Sequence, residues 1–354
     1  MVLSSDSKSK QVKNSLLTVS GTTFSSKNLE KNKHLLSKEL YAFYKLWFNN
    51  SDTIVLKTSG STGQPKKIIV SKTKMFLSAL KTGAFLDLKT GDKALCCLPL
   101  TFIAGKMMVV RSIALNLNLT IVKPSKNPFK GLNESFKFSA CTSYQLENSI
   151  DNLKNIDTLL VGGSPINENT KEKLGNIKTT VYETFGMTET LSHVALKNLS
   201  KLESSFKALE GYSFEKVNEC LKINSKDILE APLLTNDIVT LISKKEFIWQ
   251  GRKDFVINSG GIKLFPETIE KSLSKFFKAS FIIMGVPDRS LGEKVIIIFE
   301  KSLPSNYDKA INSLSTYEKP KTFLVLDKFS RNNNKLLRKE IINEVLSKWK
   351  TTQK

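Results

Sequence analysis

One stretch of the chain combines hydroxyl groups, glycines and lysines at close spacing: Thr58-Ser59-Gly60-Ser61-Thr62-Gly63-Gln64-Pro65-Lys66-Lys67. Glycines let the backbone approach an anion, hydroxyl groups donate hydrogen bonds to it, and a lysine supplies positive charge. The stretch does not follow the Walker pattern Gly-x-x-x-x-Gly-Lys-Ser/Thr. The residue types therefore predict a phosphate-binding loop of another kind. The alternative is a polar surface turn.

The segments around this loop alternate between strand and helix patterns. Residues 53–58 predict a buried strand that runs into the loop, and residues 67–70 predict a returning strand. Apolar residues recur at helical spacing over residues 36–49 and 71–86. Such alternation predicts an α/β fold, whose large N-terminal domain of mixed sheets and helices covers residues 1–250.

The pattern changes near residue 235. Residues 238–242 and 246–250 alternate like a hairpin, and Gly251-Arg252-Lys253-Asp254 then interrupts the alternation. Beyond this point the sequence predicts helices over residues 266–276 and 308–316, strands over 281–286 and 295–299, and a basic C-terminal helix. We therefore expect a small, mobile α+β domain over residues 251–354, with the boundary at residues 251–254.

The composition is strongly basic, with 54 Lys and Arg against 33 Asp and Glu and a net charge of +21. Only five of the 54 are arginine, and the lysines are scattered along the chain. This pattern is typical of A/T-rich codon usage, so no nucleic-acid partner is expected. A basic polynucleotide-binding protein without catalysis is the remote alternative, which predicts salt-sensitive binding.

The sequence shows no secretory signal and no apolar run near the ~20 residues that a membrane helix needs. Cys96, Cys97, Cys141 and Cys220 lack the spacing of metal ligands. We therefore expect a cytoplasmic protein without a membrane partner, whose cysteines are reduced and mostly buried. The oligomeric state stays open, with a homo-oligomer among the options.

The phosphate-binding stretch resembles the signature of the acyl-adenylate-forming enzymes, which include acyl-CoA ligases, luciferases and adenylation domains. Tyr182-Glu183-Thr184-Phe185-Gly186-Met187-Thr188-Glu189-Thr190 is similar to the family's Tyr-Gly-x-Thr-Glu-Thr segment. The resemblance implies that Phe185, beside Gly186, stacks near adenine, Thr188 meets a phosphate and Glu189 holds Mg²⁺. A carboxylate together with phosphate oxygens suits that ion.

Three further segments resemble the family's nucleotide contacts. Gly162-Gly163-Ser164-Pro165 looks like the turn that lines the adenine pocket. Thr235-Asn236-Asp237 resembles a Thr-Gly-Asp turn whose aspartate accepts hydrogen bonds from ribose, and asparagine tolerates the positive φ of such a turn. Arg252 matches an arginine that reaches the ribose or phosphate.

The C-terminal part carries three more resemblances. Asp254 matches the hinge position, although Phe255 stands where an acidic residue is common. Ser259-Gly260-Gly261 resembles the loop that lines the path of the pantetheine arm of CoA. Lys335 matches the lysine that reaches the active site during adenylation, with Asn334 in place of the usual glycine.

The chain is short for this family and resembles its compact o-succinylbenzoate–CoA ligase subgroup through Leu98-Pro99-Leu100 and Gly105…Arg111-Ser112. The acid of that subgroup has two carboxylates, and the one that is not activated needs a cation. Lys106 or Arg111 is the candidate, and His193 is a candidate to line the acid pocket. The alternatives are that Lys106 extends to solvent, Arg111 pairs with an acid and His193 is structural.

The resemblance implies an ATP-dependent acid–CoA ligase of menaquinone biosynthesis that works through an acyl-adenylate, with ATP, Mg²⁺, CoA and an aromatic carboxylic acid. The carboxylate attacks the α-phosphate, and the thiol of CoA then displaces AMP. Lys335, Thr188, Glu189 and Lys66 are the implied catalytic residues. The alternatives are a ligase for another acid, or an adenylation enzyme that loads a carrier protein.

Overall fold

The computed structural model describes residue 12 and residues 15–57, 67–332 and 335–352. The chain falls into two compact units. The first unit comprises Met1–Pro165, Lys173–Ser213 and Asn224–Pro232. The second unit comprises Ile166–Glu172, Phe214–Ile223 and Leu233–Lys354. Residues 233–250 thus belong to the same compact unit as the C-terminal residues, and the expected boundary of movement at residues 251–254 stays a prediction.

The first unit alternates strands and helices as the sequence predicts. In chain order its elements are β1 (Leu17–Val19), β2 (Thr22–Phe24), α1 (Lys38–Phe48), β3 (Thr53–Lys57), β4 (Lys67–Ser71), α2 (Lys72–Leu86), β5 (Lys93–Cys96), α3 (Ile103–Leu115), β6 (Asn118–Ile121), β7 (Phe136–Thr142), α4 (Ser143–Glu147), β8 (Ile156–Gly162), β9 (Thr180–Gly186), β10 (His193–Asn198) and β11 (Phe206–Ala208). The predicted helices over residues 36–49 and 71–86 are α1 and α2.

A parallel sheet forms the centre of the first unit. Its strands follow the order β11-β10-β9-β8-β7-β5-β6-β1-β2. The six strands from β9 to β1 in this order pair in parallel, whereas β10, β11 and β2 pair antiparallel. Ala94, Leu95 and Cys96 of β5 are fully buried, as expected for a strand with both faces covered. The carboxyl ends of the parallel strands lie along one edge, where α/β proteins bind ligands.

Two helices of the first unit show why the sequence forms them where it does. The Ser71 hydroxyl caps α2 by accepting a hydrogen bond from the Lys74 backbone N–H (3.4 Å), and the helix ends at Asp87 in a left-handed conformation. Gly83 of α2 allows the close approach of α3, because a Cβ at this position would lie 2.4 Å from a methyl carbon of Leu115.

Strands β3 and β4 form an antiparallel ribbon that pairs with no other described strand. Ile54 and Leu56 are buried, but Val55 is 57% exposed and its cross-strand partner Ile69 is 74% exposed. The strand predicted before the phosphate loop is therefore present, but it is buried on one face only. A two-stranded ribbon that packs through one face leaves its alternate side chains exposed.

Most strands that the structure describes in the second unit fall into two groups. Strands β12 (Ser213–Val217), β13 (Cys220–Asn224), β14 (Leu233–Ser243) and β15 (Glu246–Arg252) are neighbours in that order. A second sheet contains β16 (Ile257–Ser259), β17 (Ile262–Leu264), β18 (Phe281–Asp288), β19 (Gly292–Glu300) and β20 (Thr322–Leu326). The remaining elements are α5 (Glu168–Leu174), most of which lies in this unit, α6 (Pro266–Leu273), α7 (Tyr307–Asn312), the short hairpin β21 (Arg331–Asn332) and β22 (Lys335–Leu336), and α8 (Arg338–Thr352).

Helices cover both faces of the second sheet. Ile269 of α6 and Ile311 of α7 join one apolar cluster, which includes Ile297 of β19. Ile341 and Val345 of α8 pack on the opposite face in a second cluster. The large α/β part and the α+β arrangement of the C-terminal part confirm the predicted fold class.

The cysteines and the length of the apolar helices can be compared with the sequence. All four cysteines are free and buried, as predicted. No helix in the part of the chain that the structure describes is long and apolar enough to cross a membrane.

Candidate active site

The predicted nucleotide-binding segments of the first unit follow the carboxyl ends of adjacent parallel strands. Gly162 ends β8 and Gly186 ends β9, and these two strands pair in parallel. Thr142 ends β7, on the other side of β8. The sheet thereby brings segments that are distant in sequence to one edge.

The predicted phosphate loop, from Thr58 to Lys66, lies outside the described residues. The structure does describe the two strands that flank it. Lys57 of β3 pairs with Lys67 of β4 in register, so the two ends of the loop are neighbours. The two predicted flanking strands are thus present and paired, while the structure and roles of residues 58–66 stay a prediction.

The turn after β8 has a backbone conformation that requires its two glycines. Gly163 has φ +97°, in the left-handed region that favours glycine. A Cβ at Gly162 would lie 2.6 Å from the Thr184 hydroxyl oxygen, so this position requires the close approach that glycine permits. The Ser164 hydroxyl lies 2.5 Å from the hydroxyl of Ser143, the first residue of α4.

The Phe185 ring lies on one face of β9 and packs against Phe206 of β11 at 5.7 Å between centroids. The amine of Lys197 lies 4.4 Å from the centroid of the Phe206 ring. The same amine forms an ion pair with Glu183 at 2.6 Å. Phe206 therefore supports the Phe185 ring, and Lys197 lies in turn against Phe206.

Thr188 and Glu189 lie in a one-turn 3₁₀ helix, Thr188–Thr190, between β9 and β10. The Thr190 hydroxyl accepts a hydrogen bond from the Met187 N–H (3.0 Å) and lies 2.7 Å from the Ser192 carbonyl, to which it donates. Gly186 lies against the start of β10, because a Cβ there would be 2.4 Å from the Ser192 carbonyl oxygen. The turn therefore has a defined geometry.

Glu189 is exposed and forms no hydrogen bond or ion pair with any residue that the structure describes. No cluster of three His, Cys, Asp or Glu side chains occurs within the described ranges to hold a metal by itself. A single free carboxylate of this kind fits Mg²⁺, which keeps several waters and takes further oxygen ligands from phosphates.

Arg111 of α3 is a buried cation, 3% exposed, that bonds only to neutral groups within the described part of the chain. Its Nη2 donates to the Ser192 hydroxyl (2.5 Å) and its Nε to the Thr82 hydroxyl (3.3 Å). Burial lowers the pKa of Arg111 to about 10, which still leaves the guanidinium charged at neutral pH. The alternative that Arg111 pairs with an acid finds no partner among these contacts.

His193 lies beside Arg111 and shares its partners. Arg111 Nη2 is 3.4 Å from His193 Nδ1, and His193 Nε2 is 3.0 Å from the Thr82 hydroxyl. Burial, and then the charge of Arg111, lower the pKa of His193 well below its usual range. Since a guanidinium can only donate, Nδ1 accepts and Nε2 carries the proton that is donated to Thr82. His193 is therefore neutral.

Lys106 lies one turn into α3. Its amine donates to the Thr101 carbonyl at 2.9 Å, and the side chain is partly buried. Partial burial lowers the pKa of Lys106. The amine thus folds back onto the loop between β5 and α3. Of the two candidate cations, Arg111 is the fully buried one.

Asp237 and Arg252 face each other across β14 and β15 in the second unit. Asp237 is 6% exposed, it accepts a hydrogen bond from Trp249 Nε1 (2.9 Å), and its Oδ1 lies 3.8 Å from Arg252 Nη1. The two residues predicted to contact ribose are therefore neighbours. The expected turn at Asn236 was wrong, because Asn236 lies inside the long strand β14 without a positive φ.

Asp254, the predicted hinge residue, lies in a 3₁₀ turn, Lys253–Phe255, that follows β15. It forms ion pairs with Arg252 (3.3 Å) and with Lys339 of α8 (3.5 Å). The nearby Gly260 and Gly261, which follow Ser259, form the two-residue turn of the β16–β17 hairpin with φ +58° and +81°. Two successive positive φ values are typical of such hairpins. The roles in hinge movement and in the CoA path stay predictions.

Lys335 begins β22, and its backbone pairs with Asn332 of β21. The described residues of the predicted lysine segment thus form two short antiparallel strands, the second of which leads into α8. Its place at an active site during adenylation stays a prediction.

Sequence reasoning missed three contributors to these arrangements: Thr82, Ser192 and Trp249. Thr82 is far from Arg111 in sequence and meets it only through the packing of α2 on α3. Trp249 carries a weak signal, since it lies in the predicted hairpin opposite the strand of Asp237. Nothing in the sequence distinguishes its indole from a core residue.

A parallel sheet with glycine turns, an aromatic side chain and a free carboxylate at its carboxyl edge defines an α/β enzyme of the nucleotide-binding kind. The family described as AMP-binding enzyme matches residues 3–212. The chain therefore belongs to the AMP-binding enzyme family.

The chain is similar to several known members of that family. It is 32% identical to the acyl-CoA synthetase (AMP-forming)/AMP-acid ligase II-like protein from Dyadobacter fermentans, with a TM-score of 0.59 and coverage of 87% of this chain and 93% of that one. It is 25% identical over 338 residues to the 2-succinylbenzoate–CoA ligase of Listeria monocytogenes, covering 85% of this chain and 72% of that protein.

A further solved structure shares the fold. The O-succinylbenzoate Coenzyme A Synthetase (MenE) from Bacillus subtilis, in complex with ATP and magnesium ion, is 20% identical, with a TM-score of 0.72. The match covers 81% of this chain and 69% of that one. The fold is thus that of AMP-forming acid–CoA ligases.

Proposed function

We propose that this protein is an AMP-forming ligase that joins o-succinylbenzoate to coenzyme A. Its relative in Listeria monocytogenes is named 2-succinylbenzoate–CoA ligase, and its family is that of AMP-binding enzymes. The proposal extends this similarity to the acid itself. It includes ATP and Mg²⁺, which accompany the related synthetase of Bacillus subtilis.

The reaction has two steps. A carboxylate oxygen of the acid attacks the α-phosphorus of ATP, the bond to the β-phosphate oxygen breaks, and pyrophosphate leaves. The sulfur of CoA then attacks the acyl carbonyl of the adenylate, AMP leaves with the bridging oxygen, and the thiol proton passes to solvent. Charge spreads over phosphate oxygens in the first step, so positioning and electrostatic stabilisation supply most of the catalysis.

The proposed scheme assigns a role to each predicted site residue. The phosphates are bound by residues 58–63, Lys66 and Thr188, and Mg²⁺ is held by Glu189. The adenine is bound by Phe185, Gly186 and residues 162–164. Asp237 and Arg252 bind ribose. Bound Mg²⁺ supplies positive charge to the phosphate oxygens. Lys335 is placed at the site for adenylation, and the part beyond the hinge at Asp254 then turns so that Ser259, Gly260 and Gly261 approach CoA.

One observation supports an acid with a second carboxylate. Arg111 is buried, charged and bonded only to neutral acceptors among the described residues. A buried cation without a counter-ion costs stability, so its presence is explained best if a substrate carboxylate supplies the missing charge. Lys106, near the start of the same helix α3, is a second and less buried cation.

The decisive experiment is an acid panel with purified protein, ATP, Mg²⁺ and CoA. We expect thioester formation from o-succinylbenzoate, with AMP and pyrophosphate in equal amounts. 4-Oxo-4-phenylbutanoate, which keeps the succinyl chain and lacks only the ring carboxylate, should react far more slowly. Pyrophosphate exchange with another acid and not with o-succinylbenzoate would overturn the choice of acid. Exchange without any CoA thioester would instead favour a carrier protein as the acceptor.

A further inference from the structure

Arg338 connects three elements of the second unit. Its side chain is 14% exposed, and its guanidinium forms two contacts with Glu270 of α6, at 2.7 and 2.8 Å. Its Nη2 also donates to the Ile283 carbonyl of β18. The guanidinium carbon lies 4.9 Å from the centroid of the Phe255 ring, so the cation stacks over that ring.

Phe255 belongs to the turn that contains the proposed hinge residue. Asp254, its neighbour, forms an ion pair with Lys339 at 3.5 Å. Two successive residues at the start of α8, Arg338 and Lys339, therefore hold two successive residues of the Lys253–Phe255 turn. A double contact of this kind restricts rotation of one element against the other.

The Lys335 hairpin lies immediately before these contacts. The Leu337 N–H donates to the Ser330 carbonyl at 2.9 Å and closes the hairpin at its base. Arg331, on the other strand, contacts Glu300 through both terminal nitrogens at 2.5 Å. Three residues of extended chain span at most about 11 Å, so the position of the Lys335 backbone depends closely on that of Arg338.

The orientation of Arg338 indicates what its contact with Phe255 does. The Arg338 Nε–H is buried and has no acceptor among the described residues. Glu270 and the Ile283 carbonyl already satisfy charge and hydrogen bonds at the other end of the guanidinium. The Phe255 ring offers no hydrogen-bond acceptor to the Arg338 Nε–H, so the contact does not satisfy this donor. The contact is explained if stacking on the ring sets the plane of the guanidinium.

We propose that Arg338, through its contact with Phe255, is a positioning residue that joins the Lys335 hairpin to the hinge turn. Movement of the turn then carries the Lys335 backbone with it. This inference rests on the proposed function, because it requires Lys335 to act in adenylation.

The test uses Phe255→Leu, because this change removes the stacking and leaves the Arg338–Glu270 pair in place. Three quantities are measured: pyrophosphate exchange, thioester formation from supplied acyl-adenylate, and Tm. We expect kcat of exchange to fall about tenfold with KM for ATP unchanged, while thioester formation stays within about twofold. Phe255→Tyr, which keeps a ring, should retain exchange.

The matched control is Trp349→Leu. Lys294 lies over the Trp349 ring at 5.1 Å, so this variant also removes a cation–ring contact of the second unit, away from the hinge turn. It should leave both half-reactions unchanged. In a Lys335→Ala background, Phe255→Leu should have no further effect on exchange, because the residue that it positions is absent.

The inference would be overturned by equal losses in both half-reactions, by a similar loss in Trp349→Leu, or by a further loss in the Lys335→Ala background. If Lys335→Ala loses pyrophosphate exchange and keeps thioester formation, but Phe255→Leu shows normal exchange, this inference is overturned and the proposed role of Lys335 stands. Normal exchange in Lys335→Ala would overturn the proposed role of Lys335, and this inference with it.

Discussion

The Nη2 of Arg111 lies 3.4 Å from the Nδ1 of His193, and both side chains are buried. His193 is held neutral by burial and by the charge of Arg111, so its ring accepts a hydrogen bond from the guanidinium and cannot neutralise it. The first unit thus keeps one positive charge inside a shell of neutral acceptors. This arrangement leads to the first prediction.

Replacing Arg111 with Met should weaken binding of the acid with little loss of stability. The KM for o-succinylbenzoate should rise about 30-fold, as expected for the loss of a charge-assisted contact, while the KM for ATP stays unchanged. The free energy of unfolding should fall by no more than about 1 kcal/mol, because the substitution also removes an uncompensated buried charge. Steady-state kinetics and urea unfolding measure the two effects.

The control for this change is Arg289→Met, which removes the same charge from an exposed position of the second unit. It should alter neither KM. A large loss of stability in Arg111→Met with an unchanged KM for the acid would show that Arg111 is structural.

Glu189→Gln should impair adenylation and leave the fold intact. The side chain is exposed and has no partner among the described residues, so Tm should not change. Loss of a carboxylate ligand should lower the rate of pyrophosphate exchange about a hundredfold and raise the Mg²⁺ concentration needed for half-maximal rate. Glu172→Gln, at another exposed position, is the comparison. An unchanged Mg²⁺ dependence would remove Glu189 from the metal site.

Trp249→Phe should weaken ATP binding through Asp237. The indole N–H donates to Asp237 at 2.9 Å, and without it the carboxylate that is proposed to bind ribose loses a contact that orients it. The KM for ATP should rise about fivefold with little change in kcat. Trp47→Phe is a matched control, because Trp47 Nε1 is buried without an acceptor in the described part of the chain. Equal effects of the two variants on the KM for ATP would count against the role of Asp237.

Acid should destabilise the second unit partly through Glu300. Hydrogen bonds from Arg331 lower the pKa of Glu300 from 4.5 to about 2. Because the pKa of Glu300 is lower in the folded protein than in the unfolded chain, the Glu300–Arg331 pair stabilises the fold fully above the unfolded pKa. This stabilisation is lost as the pH falls from about 4.5 toward 2. Urea unfolding at about pH 6 and about pH 3 should therefore show a smaller loss of stability for Glu300→Gln than for the wild type.

The comparison variant for this experiment is Glu340→Gln, which removes an exposed carboxylate near the start of α8. Its stability should depend on pH as that of the wild type does. If Glu300→Gln loses as much stability as the wild type over this interval, the pair with Arg331 contributes nothing to acid sensitivity.

Sequence reasoning placed the main helices and strands correctly where periodicity was long. The helix predicted over residues 71–86 is Lys72–Leu86, and the hairpin predicted around residues 238–250 is β14 with β15. It did not anticipate that one face of β3 is exposed at Val55, and it erred at Asn236, which continues a strand. Burial of a strand face and continuation of a strand both depend on what packs or pairs against it, which residue types alone do not give.

The segments that carry the chemistry could be identified from residue types and spacing, because glycines, hydroxyls and carboxylates in a fixed order depend on local geometry. The neighbours of those residues could not. Asp237 meets Trp249 because β14 and β15 pair in one register, and a register is set by long-range packing.

The sequence by itself determined the fold class, the family and the order of the candidate site segments along the chain. Only the tertiary structure decided that Arg111 bonds to neutral groups and that Arg338 stacks over Phe255. Both contacts join residues far apart in the chain. Their burial and charge balance arise from how helices pack on helices and sheets, which no local pattern of residues encodes.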